Sequence, residues 1–213
     1  MLHMLLHRTR EVRGVDQAGG LGRDDREAGF TLIELMVVML IMAILLAIAI
    51  PTFLGTRNTA NNRAAQSSLE NALTTAKSYY TRFQNFSPSS QGNATLTTLA
   101  AVLSVSEPQL HFVATGGTSN PNTIVVNESA YTANYSAGVS NAALFVGYSR
   151  SGECWFILDV EVPPSSGNVQ GMTSAGTFYG SSKPAPATGC STVQAPTAAA
   201  SAANPGGWSG SFK

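Results

Sequence analysis

From Phe30 to Ile50 the chain runs through 21 residues of which only Glu34 is strongly polar. As an α-helix rising 1.5 Å per residue this run spans about 30 Å, the thickness of a bilayer's hydrocarbon core, so it is long enough to cross a membrane once. A carboxylate inside such a run costs about 2.5–3.5 kcal/mol near a helix centre and less near an end. Glu34 therefore needs a partner or a role. The constraint on the fold is that these 21 residues cannot serve as the surface of a small water-soluble domain.

Beyond the run, Pro51 removes a backbone donor and crowds the preceding turn, while Gly55 loosens the helix nearby, so a bend is expected there. Helical spacing then resumes: Ala65, Leu69, Ala72, Leu73, Ala76, Tyr80 and Phe83 recur three and four apart, with Asn62, Arg63, Glu70, Asn71 and Lys77 off that stripe. One helix over 30–83 follows, about 80 Å of rod with an apolar first half (30–50) and an amphipathic continuation (51–83).

Gly29, Phe30 and Glu34 form a recognisable set: glycine, then phenylalanine, then a hydrophobic helix with glutamate at its fifth position. On these residues, over about 25 positions, the sequence resembles the type IV pilin and pseudopilin family. The resemblance implies that a prepilin peptidase cuts between Gly29 and Phe30, removing a leader of residues 1–29, and N-methylates Phe30. It further implies a subunit that waits in membrane lipid, meets a membrane assembly platform, and packs by its helix with copies of itself and related pilins in a filament. Leaders in that family are shorter than 29 residues, which puts the expected translation start after Met1.

Cutting before Phe30 creates an α-ammonium, and methylation keeps its charge. In a staggered bundle Glu34 of one subunit can pair with the Phe30 amine of the next, removing two isolated charges from an apolar medium and fixing register. The alternative is a carboxylate that stays protonated or reaches the headgroups. A secretory signal peptide is a competing reading, since Ala47-Ile48-Ala49 has its small-x-small cleavage form; the carboxylate at Glu34 and the helical pattern beyond Pro51 weigh against it.

Arg8, Arg10, Arg13, Arg23 and Arg26 precede the span and none follows until Arg57, which holds the amino-terminal flank in the cytoplasm and the carboxyl-terminal domain outside. The expected location is thus the cytoplasmic membrane, then an extracellular filament. From Phe30 onward the chain carries seven basic and seven acidic residues, spread thinly, so charge gives no indication of DNA binding. Cys154 and Cys190 both fall outside, where an oxidising compartment permits a bridge. The resemblance implies a disulfide closing a carboxyl-terminal loop, and two free thiols are the alternative.

Residues 87–93 read as a loop. Leu96, Leu99, Ala100 and Leu103 mark a short helix that Asn93 or Thr95 can cap. Strand-like runs follow at 110–114, 123–127, 142–149 and 154–162, the last two joined by an Arg150-Ser151-Gly152-Glu153 turn. The expected fold is α+β: a long amino-terminal helix packed on an antiparallel sheet of about four strands. The globular head covers 84–190. Residues 176–180 form either a short strand or loop packing, and 191–213, rich in Pro, Ala, Ser and Gly, read as a flexible tail.

Catalysis is not supported: after Phe30 there is one histidine, His111, and one aspartate, Asp159, each in a strand-like run. No metal or cofactor site is expected, because no cluster of ligating side chains is apparent. The first reading is a structural subunit of a type IV pilus or related filament. Its alternatives are a pseudopilin of type II secretion and a membrane-anchored binding domain that does not polymerise.

Overall fold

A computed structural model describes residues 29–91, 95–128, 131, 134–135, 139–183, 189–199 and 207–212. The expected leader lies outside these residues except for Gly29. The chain divides into two compact units, Met1–Leu46 and Ala47–Lys213.

Helix α1, Leu32–Phe83, begins in the first unit and has Pro51 inside it. Beside it the Thr52 hydroxyl bonds back to the carbonyls of Ala49 (2.9 Å) and Ile48 (3.3 Å), a contact that itself favours a bend. In the second unit α1 buries Gln66, Leu69, Ala72, Leu73, Ala76 and Tyr80. Ala72 and Ala76 are fully buried within that stripe, between the larger side chains. Tyr80 ends the stripe with its hydroxyl donating to Asn141 Oδ1 at 2.9 Å.

Helix α2 is Leu99–Ser106. Its cap is neither Asn93, which lies outside the described residues, nor Thr95, but Thr98, whose Oγ1 accepts from the Ala101 amide at 3.3 Å. A second partner comes from far along the chain: Glu128 Oε1 accepts the Leu99 amide at 2.9 Å. The positive end of the helix dipole favours that carboxylate, while burial raises its pKa.

The sheet has five strands in sequence order: β1 His111–Ala114, β2 Thr123–Asn127, β3 Ala142–Tyr148, β4 Cys154–Val160 and β5 Gly176–Ser182. Two expectations are corrected. The fifth strand is real, pairing antiparallel with the whole of β4. The sheet is mixed, because β1 runs parallel to β2, His111 opposite Thr123. The intervening loop doubles back and is tied down at Ser119, which exchanges backbone hydrogen bonds with Cys190 (2.6 and 3.2 Å).

Every residue of β4, and all of β3 but Tyr148, is buried, because both faces of the sheet are covered. On one face Ala143, Phe145, Trp155 and Ile157 meet α1 and α2. On the other, Leu144, Val146, Phe156 and Leu158 meet Val169, Met172, Cys190, Ala195 and Trp208. The second cover is irregular chain from the carboxyl-terminal third. The expected flexible tail is corrected in its described parts: Ala195 and Trp208 are buried and Phe212 packs on the helix-side core, since these few apolar side chains have a sheet face to fill.

Candidate functional site

The helix start is set by Thr31. Its Oγ1 accepts the Glu34 amide at 3.2 Å, and its carbonyl accepts from Glu34 (3.1 Å) and Leu35 (3.2 Å). Gly29 and Phe30 therefore precede the helix, and Phe30 is 82% exposed. Glu34 sits in the first turn, the end of a helix where the backbone dipole favours a negative charge. From Phe30 through Ala60 every residue is exposed, and the large apolar side chains run from Phe30 to Leu54. An unbroken apolar cylinder of this length is far beyond the patches a soluble monomer tolerates. What it can do is enter lipid or pack against similar helices, and Glu34 is its single ionisable group.

In the second unit Cys154 and Cys190 are joined by a disulfide, with Cα atoms 5.6 Å apart and both residues fully buried. The bridge attaches the carboxyl-terminal cover to the first residue of β4. Beside it the 192–194 turn is held by Gln194, whose Oε1 accepts the Ser191 amide at 2.9 Å.

Asp159, 1% exposed, faces α1. Its Oδ1 accepts from Thr177 Oγ1 (2.7 Å) and lies 3.0 Å from Lys77 Nζ, which is also 3.3 Å from Glu161. Burial pushes the Asp159 carboxyl up to about 6, against the pull of Thr177 and Lys77. Burial opposes the Lys77 ammonium, but the two carboxylates outweigh it and raise its pKa. Lys77 reaches this cluster from the edge of the buried stripe because its long stem lies along the protein while its head stays half in water. His111 is exposed on β1, with β2 and β3 between it and the strand of Asp159. The structure does not bring this pair together.

Two positions carry more than the sequence reading gave them. Asn62 joins α1 to the β3–β4 turn: its Nδ2 donates to Glu153 Oε2 (2.6 Å), and its Oδ1 accepts from the hydroxyls of Ser149 (2.6 Å) and Ser151. Gly147, inside β3, faces Leu69 so closely that a Cβ there would stand 3.1 Å from it, and Leu69 would have to shift by a few tenths of an ångström. A glycine within a strand-like run signals such an approach, whereas nothing local marks Asn62.

Residues 24–50 match the family model described as the prokaryotic N-terminal methylation motif. Over 62 residues the chain is 40% identical to the type IV major pilin protein PilA of Myxococcus xanthus (strain DK1622), an alignment covering 29% of this chain and 28% of that protein. No solved structure matches. The matched motif opens the exposed apolar helix, and the chain is in part similar to a type IV major pilin, of which the alignment spans less than a third.

Proposed function

We propose that this protein is a structural filament subunit, a type IV pilin, held in the cytoplasmic membrane by residues 30–50 with its head outside until it assembles. The observation that carries the reading is the exposed apolar helix with one carboxylate in its first turn, preceded by the non-helical Gly29-Phe30 pair. A prepilin peptidase cuts at that pair and methylates Phe30. The helix then leaves lipid for the company of other subunits' helices, a transfer between two apolar media that makes packing and charge pairing decisive. Glu34 meets the Phe30 amine of a neighbouring subunit, so each removes the other's isolated charge.

Mass spectrometry of the protein from its native membrane tests the cut: N-methyl-Phe30 is expected, and an amino terminus at Ile50 or a retained leader overturns the reading. Glu34→Val tests assembly separately from folding. The variant inserts and is cut at Phe30, yet cells release no sheared filament, because the neighbour's amine is left without a counter-charge in an apolar bundle. Wild-type levels of sheared filament from Glu34→Val cells refute the pairing.

A further inference from the structure

Strand β5 reads Gly-Thr-Phe-Tyr-Gly-Ser-Ser and ends the sheet order, so among the described residues its outer edge faces no further strand. Exposed edges recruit other chains, and proteins blunt them with charge, proline or bulges. β5 has no charged residue and no proline.

Its edge is occupied by residues 207–212. The Tyr179 amide donates to the Ser209 carbonyl at 2.8 Å, and the Ser209 amide donates back to the Tyr179 carbonyl at 2.8 Å. Tyr179 is the middle residue of the seven, so among the described residues the bridge leaves a run of only three strand residues on each side, at the lower limit for a paired strand. The segment is anchored on both faces of the sheet. Trp208, 2% exposed, lies in the core away from α1, its indole N–H donating to the Gln170 carbonyl at 3.0 Å. Phe212 lies on the opposite, helix side, its ring 5.5 Å from Trp155 and 4.7 Å from Tyr179, edge-on to each.

We propose that residues 207–212 are an edge guard, which prevents β5 from pairing antiparallel with β5 of a second copy of this chain. A second copy is the partner that fits. About a two-fold axis through Tyr179, each copy offers an N–H and a C=O that replace, bond for bond, those now supplied by Ser209. The strand's lack of charge sets up no repulsion against its own image. The guard thereby leaves association between subunits to the amino-terminal helix. The head geometry supports this independently of whether the helices form a filament.

The test uses the full chain in detergent micelles, comparing wild type with a chain ending at residue 206 and with Ser209→Pro, which removes the amide that bonds Tyr179. Light scattering after size exclusion reads the mass, and amide hydrogen exchange reads protection across β5. The truncated chain should show at least twice the wild-type mass in the same micelles, with β5 amides still protected by the new pairing. A synthetic peptide of residues 207–213 in excess should restore the wild-type mass. Should truncation unfold the head, Ser209→Pro, which keeps Trp208 and Phe212, decides alone. Unchanged mass in either folded variant, or association that the peptide does not reverse, overturns the proposal.

Discussion

Replacing Gly147 with alanine tests how α1 is seated on the sheet. A Cβ at that position would stand 3.1 Å from both Cγ and Cδ1 of Leu69 and 3.3 Å from Cδ2, inside the 3.5–4.0 Å at which carbon atoms attract. Leu69 is fully buried and Gly147 lies opposite Trp155 on β4, so neither side can yield freely. Overpacking of this kind costs about 1–3 kcal/mol, offset by about 0.5–1 kcal/mol because glycine loses more backbone freedom on folding than alanine. Leu69→Ala alone removes a buried side chain and should cost about 2–5 kcal/mol.

In the double variant the new methyl enters the space that the leucine vacates. The clash is gone, the cavity is smaller, and the backbone gain persists. The pair should therefore be less destabilising than the sum of its singles by about 1–3 kcal/mol, the overpacking cost, well above the ~0.3–0.5 kcal/mol scatter of independent sites. Urea unfolding of the full chain in detergent, followed by the fluorescence of Trp155 beside the contact, measures all four corners. Additivity within that scatter would refute the close packing of α1 on β3.

Two further outcomes follow from the head. Cys154→Ser with Cys190→Ser should lower unfolding stability by about 3–4 kcal/mol, the chain-entropy value for a loop of this length, and urea titration with and without reductant checks it: wild type responds to reductant and the double variant does not. Asp159 has a folded pKa of about 6 against an ordinary 3.8, so the folded state holds the extra proton; its contribution is complete below about pH 4 and is lost as pH rises through about 6. Thermal unfolding between pH 4 and pH 8 should thus show wild type losing more stability with rising pH than Asp159→Asn, and the opposite ordering would show that the Lys77 ion pair, not burial, governs this carboxyl.

The long helix was legible because both of its signals are local. An apolar run of membrane length and a three-and-four spacing of Leu69, Ala72, Leu73, Ala76 and Tyr80 survive whatever the rest of the chain does. The spacing of Gly29, Phe30 and Glu34 was equally legible, but the partner expected for Glu34 belongs to another subunit and lies outside any single chain. The direction of β1 was not legible. Strand runs announce their residues and not their neighbours, and here the choice goes with the Ser119–Cys190 backbone contact, made between segments about seventy residues apart.

Residues 191–213 were read as flexible for a related reason. β3 and β4 carry apolar side chains on both faces, a pattern that requires two covers. One helix with an apolar stripe supplies only one of them. The second cover had to come from chain without secondary-structure periodicity, and the residues after β4 are the source: Val169, Met172, Cys190, Ala195 and Trp208 fill that face. Composition describes this stretch as flexible because its anchors are few and far apart. A disulfide, a buried indole and an edge-on phenyl ring are nonetheless enough, since each closes a loop whose entropic cost grows only slowly with length. Where a sheet is apolar on both faces and one is left uncovered by regular elements, isolated cysteine and aromatic residues in an otherwise bland tail are the side chains to assign to it.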